Sequence, residues 1–152
     1  MTEHAHPSDR AHGNPLGTLE LLTTLQFRPV PPGHAGIDCR FGYSVDDPFA
    51  VRMDLLVTAE TRVTWVVGRD LLSAGTDRLS GEGDCKVWPS TGPGERPSLH
   101  LRLESPHGHA TLAADLTVLR RWLEDTYAMV PSGSEGALLD WATLTESLLP
   151  PV

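Results

Sequence analysis

Apolar and polar residues alternate along most of this chain. Leu19, Leu21, Leu25 and Phe27 share one parity, while Glu20, Thr24 and Gln26 take the other, the pattern of a half-buried strand. Ile37, Cys39, Phe41 and Tyr43 alternate with Asp38, Arg40 and Gly42 and predict a second strand. Phe49, Val51, Met53, Leu55 and Val57 line one face of a third, with Ala50, Arg52 and Asp54 on the other. Val63–Val67 is short and almost wholly apolar, so it reads as a central strand covered on both faces. Asp84–Trp88 predicts a fifth strand, with a loop starting at Pro89. Leu99, Leu101 and Leu103 alternate most cleanly of all, and a hairpin at Ser105–Gly108 leads into a seventh strand, His109–Ala114.

The period then changes. Asp115 is a good N-cap for a helix from Leu116 to about Met129. Leu116, Leu119, Leu123, Tyr127 and Val130 form its apolar stripe, and Val118, Trp122 and Met129 widen it. A surface helix needs a stripe only somewhat over 100° wide. The surplus marks Val118, Trp122 and Met129 as a candidate oligomer interface. Gly68–Gly75 predicts a short helix with Gly75 as its C-terminal cap, and Asp140 a last one carrying Trp141, Leu144 and Leu148. The expected architecture is α+β: an antiparallel sheet of about seven strands with a C-terminal helix pair.

Residues 1–17 have no apolar period and hold three of the seven histidines. They read as a disordered N-terminal extension before a single domain at 18–149. That polar start is no signal peptide, and no apolar run is long enough to cross a membrane, so a cytoplasmic location is expected. Net charge is −8, from 20 acidic against 12 basic residues. Such a field repels phosphate backbones and argues against nucleic acid as a partner. A contiguous arginine face, for instance Arg40, Arg52 and Arg102, would be needed to overcome it.

Candidate chemistry is sparse. Ser90 lies in no nucleophile elbow. His107 and His109 lack a third ligand nearby. Asp46 and Asp47 precede Pro48 and suit a turn. Gly81-Glu82-Gly83-Asp84 has the glycines of a phosphate loop, but no helix follows, and Glu82 brings the wrong charge. Arg69 and Asp70 suit local helix-end contacts. Cys39 and Cys85 read as small buried hydrophobes. The chain is therefore expected to be a binding or scaffold protein with no cofactor and no metal, and not an enzyme.

Several segments in a fixed order then carry a resemblance. Asp46-Asp47-Pro48-Phe49-Ala50-Val51 opens a strand. Val63-Thr64-Trp65-Val66 is followed by Arg69-Asp70-Leu71-Leu72 and Gly75. Gly81-x-Gly83-Asp84 leads to Val87-Trp88-Pro89-Ser90. Leu103-x-Ser105-Pro106-x-Gly108-x-Ala110-x-Leu112 and Val130-Pro131-x-Gly133 come last. Together they resemble the SsgA-like sporulation and cell-division proteins of actinomycetes, over roughly Leu19 to Leu149. Residues 1–17 are extra to that pattern, which leaves the subgroup open.

The resemblance implies a strongly bent sheet like that of the Whirly-type nucleic-acid-binding proteins, and assembly into a homotrimer. It also implies a non-enzymatic adaptor role in septum placement or cell-wall assembly. The implied partners are the tubulin-like division protein FtsZ, another SsgA-like protein or cell-wall synthesis proteins, with recruitment to division septa. The alternative implied by the fold is single-stranded nucleic-acid binding.

Overall fold

The structure is a computed structural model and describes residues 11–14, 17–29 and 36–138. Its elements run β1 (Ala11–Asn14), β2 (Thr18–Phe27), β3 (Ile37–Ser44), β4 (Asp47–Leu56), β5 (Arg62–Gly68), α1 (Arg69–Gly75), β6 (Cys85–Ser90), β7 (Ser98–Ser105), β8 (Gly108–Asp115) and α2 (Leu116–Met129), then a 3-10 turn at Glu135–Leu138. All strand pairs are antiparallel, in the order β5-β4-β3-β2-β8-β7-β6, with β1 added to β2. Two halves meet where β2 pairs with β8 at Gln26↔Ala113 and Phe27↔Leu112. So short a joint lets the sheet curl, and its two inner faces enclose one core.

The alternation seen in sequence sets which face is inside. Leu21 and Leu25, Cys39, Phe41 and Tyr43, and Val51, Met53 and Leu55 are buried from one half; Val87, Leu99, Leu101 and Leu112 are buried from the other. Leu116, Leu119, Trp122 and Leu123 of α2 join them. At roughly 25 cal/mol per Å2 of apolar surface removed from water, this cluster is the main source of stability. α2 starts where expected: the Asp115 carboxylate accepts from the Val118 N–H at 3.1 Å, which satisfies one orphan donor of the first turn.

Five expectations change. Val63–Val67 is not central; β5 ends the strand order, and Val66 is 64% exposed. An apolar run does not report whether a neighbour exists on both sides. The strand before Pro89 does not stop there, because β6 continues to Ser90 with Pro89 opposite Leu99. Val87 turns its N–H outward to the Ser80 carbonyl. Pro89, two residues on, faces the same way, so its missing N–H costs no bond to β7. Gly75 is no left-handed cap. It ends α1, and a β-carbon there would stand 2.3 Å from Cγ1 of Val87. Phe49, near the start of β4, and Val57, just past its end, are exposed despite sharing parity with Val51. Within the expected N-terminal extension, residues 11–14 form β1 and pair with β2 in the register Ala11↔Leu21 to Asn14↔Thr18. The helix expected from Asp140 lies outside the described residues.

Candidate partner-binding surface

The residues singled out for chemistry are not gathered into a reactive site. Among the described residues no three His, Cys, Asp or Glu side chains group as metal ligands. His107 and His109 are exposed at the turn joining β7 to β8. Asp46 sits at the tip of the β3–β4 hairpin, its N–H donating to Ser44 Oγ at 3.1 Å. Asp47 begins β4, and the Pro48 carbonyl accepts from the Tyr43 hydroxyl at 2.9 Å. Gly81 and Gly83 adopt φ of +96° and +72°, a region that favours glycine, in the turn that feeds β6. A β-carbon at position 81 would meet the Cys85 carbonyl at 2.4 Å. These residues shape the scaffold.

Arg69 departs most from expectation. It makes no local helix-end contact; its side chain is wholly buried and reaches across to α2. Nη1 donates to the carbonyls of Thr126 at 3.0 Å and Val130 at 2.8 Å, and Nη2 to Glu135 Oε2 at 2.8 Å. The guanidinium lies 3.9 Å from the Tyr127 ring centre and 4.8 Å from that of Tyr43. The last turn of α2 has no basic residue of its own, so Arg69 supplies the cation that its terminal carbonyls favour. Arg120 returns the arrangement, donating from α2 to the Thr76 carbonyl beyond the end of α1 at 2.7 Å. The pairing with Arg69 holds the Glu135 carboxyl below its usual range. Burial, then the hydrogen bond to Asp70, pushes Tyr127 up to about 12. No sequence period could reveal this cluster, since its partners lie 57 to 66 positions away. The only visible signal was an Arg-Asp pair opening a helix.

Trp122, expected to face a second copy, is instead 1% exposed and packs on Phe41 with ring centres 6.0 Å apart. Val118 and Met129 are half-buried against the same core. The surplus apolar width of α2 is consumed inside the molecule, where the helix packs on β2, β7, β8 and α1.

The apolar surface that remains centres on β5. Among the described residues no strand runs along its free side, so alternate N–H and C=O groups point outward there. The opposite edge, β6, is closed by the reciprocal Ser80–Val87 hydrogen bonds and by Pro89. β5 also walls two concavities. On the outer face, Val66 borders a depression of about 310 Å3 over Gly42, with Ala50, Glu20 and Arg52 around it. On the inner side, Val63 and Trp65 line an apolar groove of about 380 Å3 with Phe27, Ile37, Leu55 and Leu103.

Arg40, Arg52 and Arg102 do not form a phosphate-binding face. Arg40 stands 4.0 Å from Glu20, Arg52 3.2 Å from Asp54 and Arg102 2.9 Å from Glu104. Burial pushes the Asp54 carboxyl up, but the Thr64 hydroxyl and Arg52 outweigh it and hold it below its usual range. Among the described residues no helix is long and apolar enough to cross a membrane.

Residues 37–135 match the family described as Streptomyces sporulation and cell division protein, SsgA. The chain is 42% identical over 132 residues to the sporulation-specific cell division protein SsgB of Kineococcus radiotolerans, covering 86% of this chain and 79% of that one. It is 39% identical over 112 residues to SsgB of Thermobifida fusca, covering 74% and 77%. Among solved structures, an SsgA-like sporulation-specific cell division protein from Thermobifida fusca superposes with a TM-score of 0.74 at 32% identity, covering 91% of this chain and all of that one. A structure from work linking SsgB mutations to longitudinal division in sporulating Streptomyces coelicolor gives 0.76 at 32% identity, over 84% of this chain and all of the other. Matching family segment, relatives and fold agree, and the chain belongs to the SsgA family of sporulation and cell division proteins.

Proposed function

We propose that this protein is a non-enzymatic adaptor of sporulation-specific cell division, controlling septum placement or cell-wall assembly through protein–protein contacts. The observation that carries this reading is the asymmetry of the two sheet edges. β6 is closed, whereas among the described residues β5 keeps its free side and its apolar Val63 and Val66. Soluble sheets usually blunt such an edge, and an open one is a site for strand addition by a partner. The relatives' role in sporulation-specific cell division supplies the process. The candidate partners are a second copy of this chain, FtsZ, another SsgA-like protein or a cell-wall synthesis protein.

The test is the double substitution Val63→Glu with Val66→Glu in a strain that makes only this variant. Val66 is well exposed and Val63 lies at the rim of the inner groove, so unfolding should shift by no more than about 1 kcal/mol per site, the span of strand propensity. Septation should fail as it does in a full deletion, and FtsZ or cell-wall proteins should no longer be recovered with the protein. Normal septa in the variant strain, beside defective septa in the deletion, would overturn the reading. Single-stranded nucleic-acid binding has less support, since Arg40, Arg52 and Arg102 each stand beside a carboxylate.

A further inference from the structure

The outer face of the β6–β7–β8 half carries a polar pocket that the adaptor reading does not use. It has a volume of about 340 Å3 and lies between Arg28, Trp88, Ser90, Glu95, Ser98, His100 and Thr111. Five elements build it. Arg28 follows β2 and is anchored by its own N–H, which donates to the Thr111 carbonyl of β8 at 2.9 Å. Register places Trp88 opposite His100 and Ser90 opposite Ser98, and the Trp88 and His100 rings sit 5.4 Å apart. Glu95 comes from the loop before β7. Gly92 makes room for it, since a β-carbon at 92 would lie 2.7 Å from Glu95 Oε2.

Two polar groups here are unspent. Among the described residues no carboxylate lies within ion-pair distance of the Arg28 guanidinium. Among the described residues the buried Nδ1 of His100 has no hydrogen-bond partner, although buried polar atoms are nearly always paired. Burial, then the Arg28 charge, holds His100 below the usual histidine range.

We propose that this pocket binds a small phosphomonoester of a polyol, such as a sugar phosphate. The guanidinium, the imidazole and the hydroxyls of Ser90, Ser98 and Thr111 offer more donors than the two oxygens of a carboxylate can use, but suit the three of a phosphate. The volume exceeds that of the bare anion and leaves space for its alcohol. Glu95 repels phosphate but accepts hydrogen bonds from sugar hydroxyls. It therefore favours a compact ester over a polyphosphate or a nucleic-acid backbone. The site is on the half of the sheet away from β5, so it stands or falls independently of the adaptor surface.

Calorimetric titration of the full chain with ribose 5-phosphate, inorganic phosphate, acetate and ribose tests it. Ribose 5-phosphate should bind saturably, and more tightly than phosphate alone; acetate and ribose should not bind. Arg28→Gln should weaken both phosphates at least about tenfold, the scale of one lost charge-assisted contact. Glu95→Gln should weaken ribose 5-phosphate but strengthen inorganic phosphate. In the imidazole NMR spectrum, phosphate should raise the His100 pKa in the wild type and move it far less in Arg28→Gln. Absence of saturation for every probe up to about 10 mM would overturn the proposal. So would acetate matching phosphate, or Arg28→Gln binding as well as wild type.

Discussion

The guanidinium of Arg69 and the carboxylate of Glu135 meet at 2.8 Å inside the protein, 66 positions apart in the chain. The pair fastens the segment after α2 to the start of α1. Removing one partner strands the other without solvent, so Arg69→Met should lower unfolding free energy by about 3–5 kcal/mol in urea titration. Glu135→Gln should destabilise in the same direction. The pair also sets an acid limit. Glu135 is held below its ordinary 4.5 by the hydrogen bond from Arg69, so the unfolded chain takes up the proton first as pH falls. Its contribution is complete above about 4.5 and is lost as pH drops through the lower folded value. In Glu135→Gln that part of the acid slope should vanish. An unchanged slope would mean the pair does not form in solution.

Two glycines make a matched test of packing. A β-carbon at Gly75 would stand 2.3 Å from Val87 Cγ1, whereas one at Gly42 would meet nothing within 4 Å. Gly75→Ala should cost about 1–3 kcal/mol by overpacking. Gly42→Ala should stay within about 0.5 kcal/mol of wild type. Thermal unfolding of the two variants side by side checks the contrast.

Trp122 separates a core role from an interface role. Burial against Phe41 means Trp122→Ala should cost about 3–5 kcal/mol by leaving a cavity. The mass of the folded particle in light scattering should not change. A smaller particle of undiminished stability would return Trp122 to an interface.

The alkaline limit has its own marker. Tyr127 is raised from 10.0 to about 12 by burial and then by Asp70. Above 10 the unfolded chain releases this proton first, so stability should fall as pH rises from 10 toward 12. Tyr127→Phe should flatten that fall, read by denaturant midpoints across the range. Cys39, pushed up to about 12 by burial and then by Asp54, should in the same samples resist thiol reagents until the protein unfolds.

Alternation along Leu19–Phe27, Ile37–Tyr43 and Leu99–Leu103 determined most strands and their inner faces, because side-chain period and burial are local consequences of one backbone geometry. Asp115 likewise marked the start of α2, since a cap acts within a turn. The family was legible because its segments follow one another along the chain. Tertiary structure alone decided that apolar Val63–Val67 is an edge and that the broad face of α2 is spent inside a curled sheet. It also decided that Arg69 holds a distant helix end, and that Arg28 and His100 share a pocket. Each of these depends on which strands become neighbours. Strand order is set by contacts between segments far apart in the chain, which no local period records.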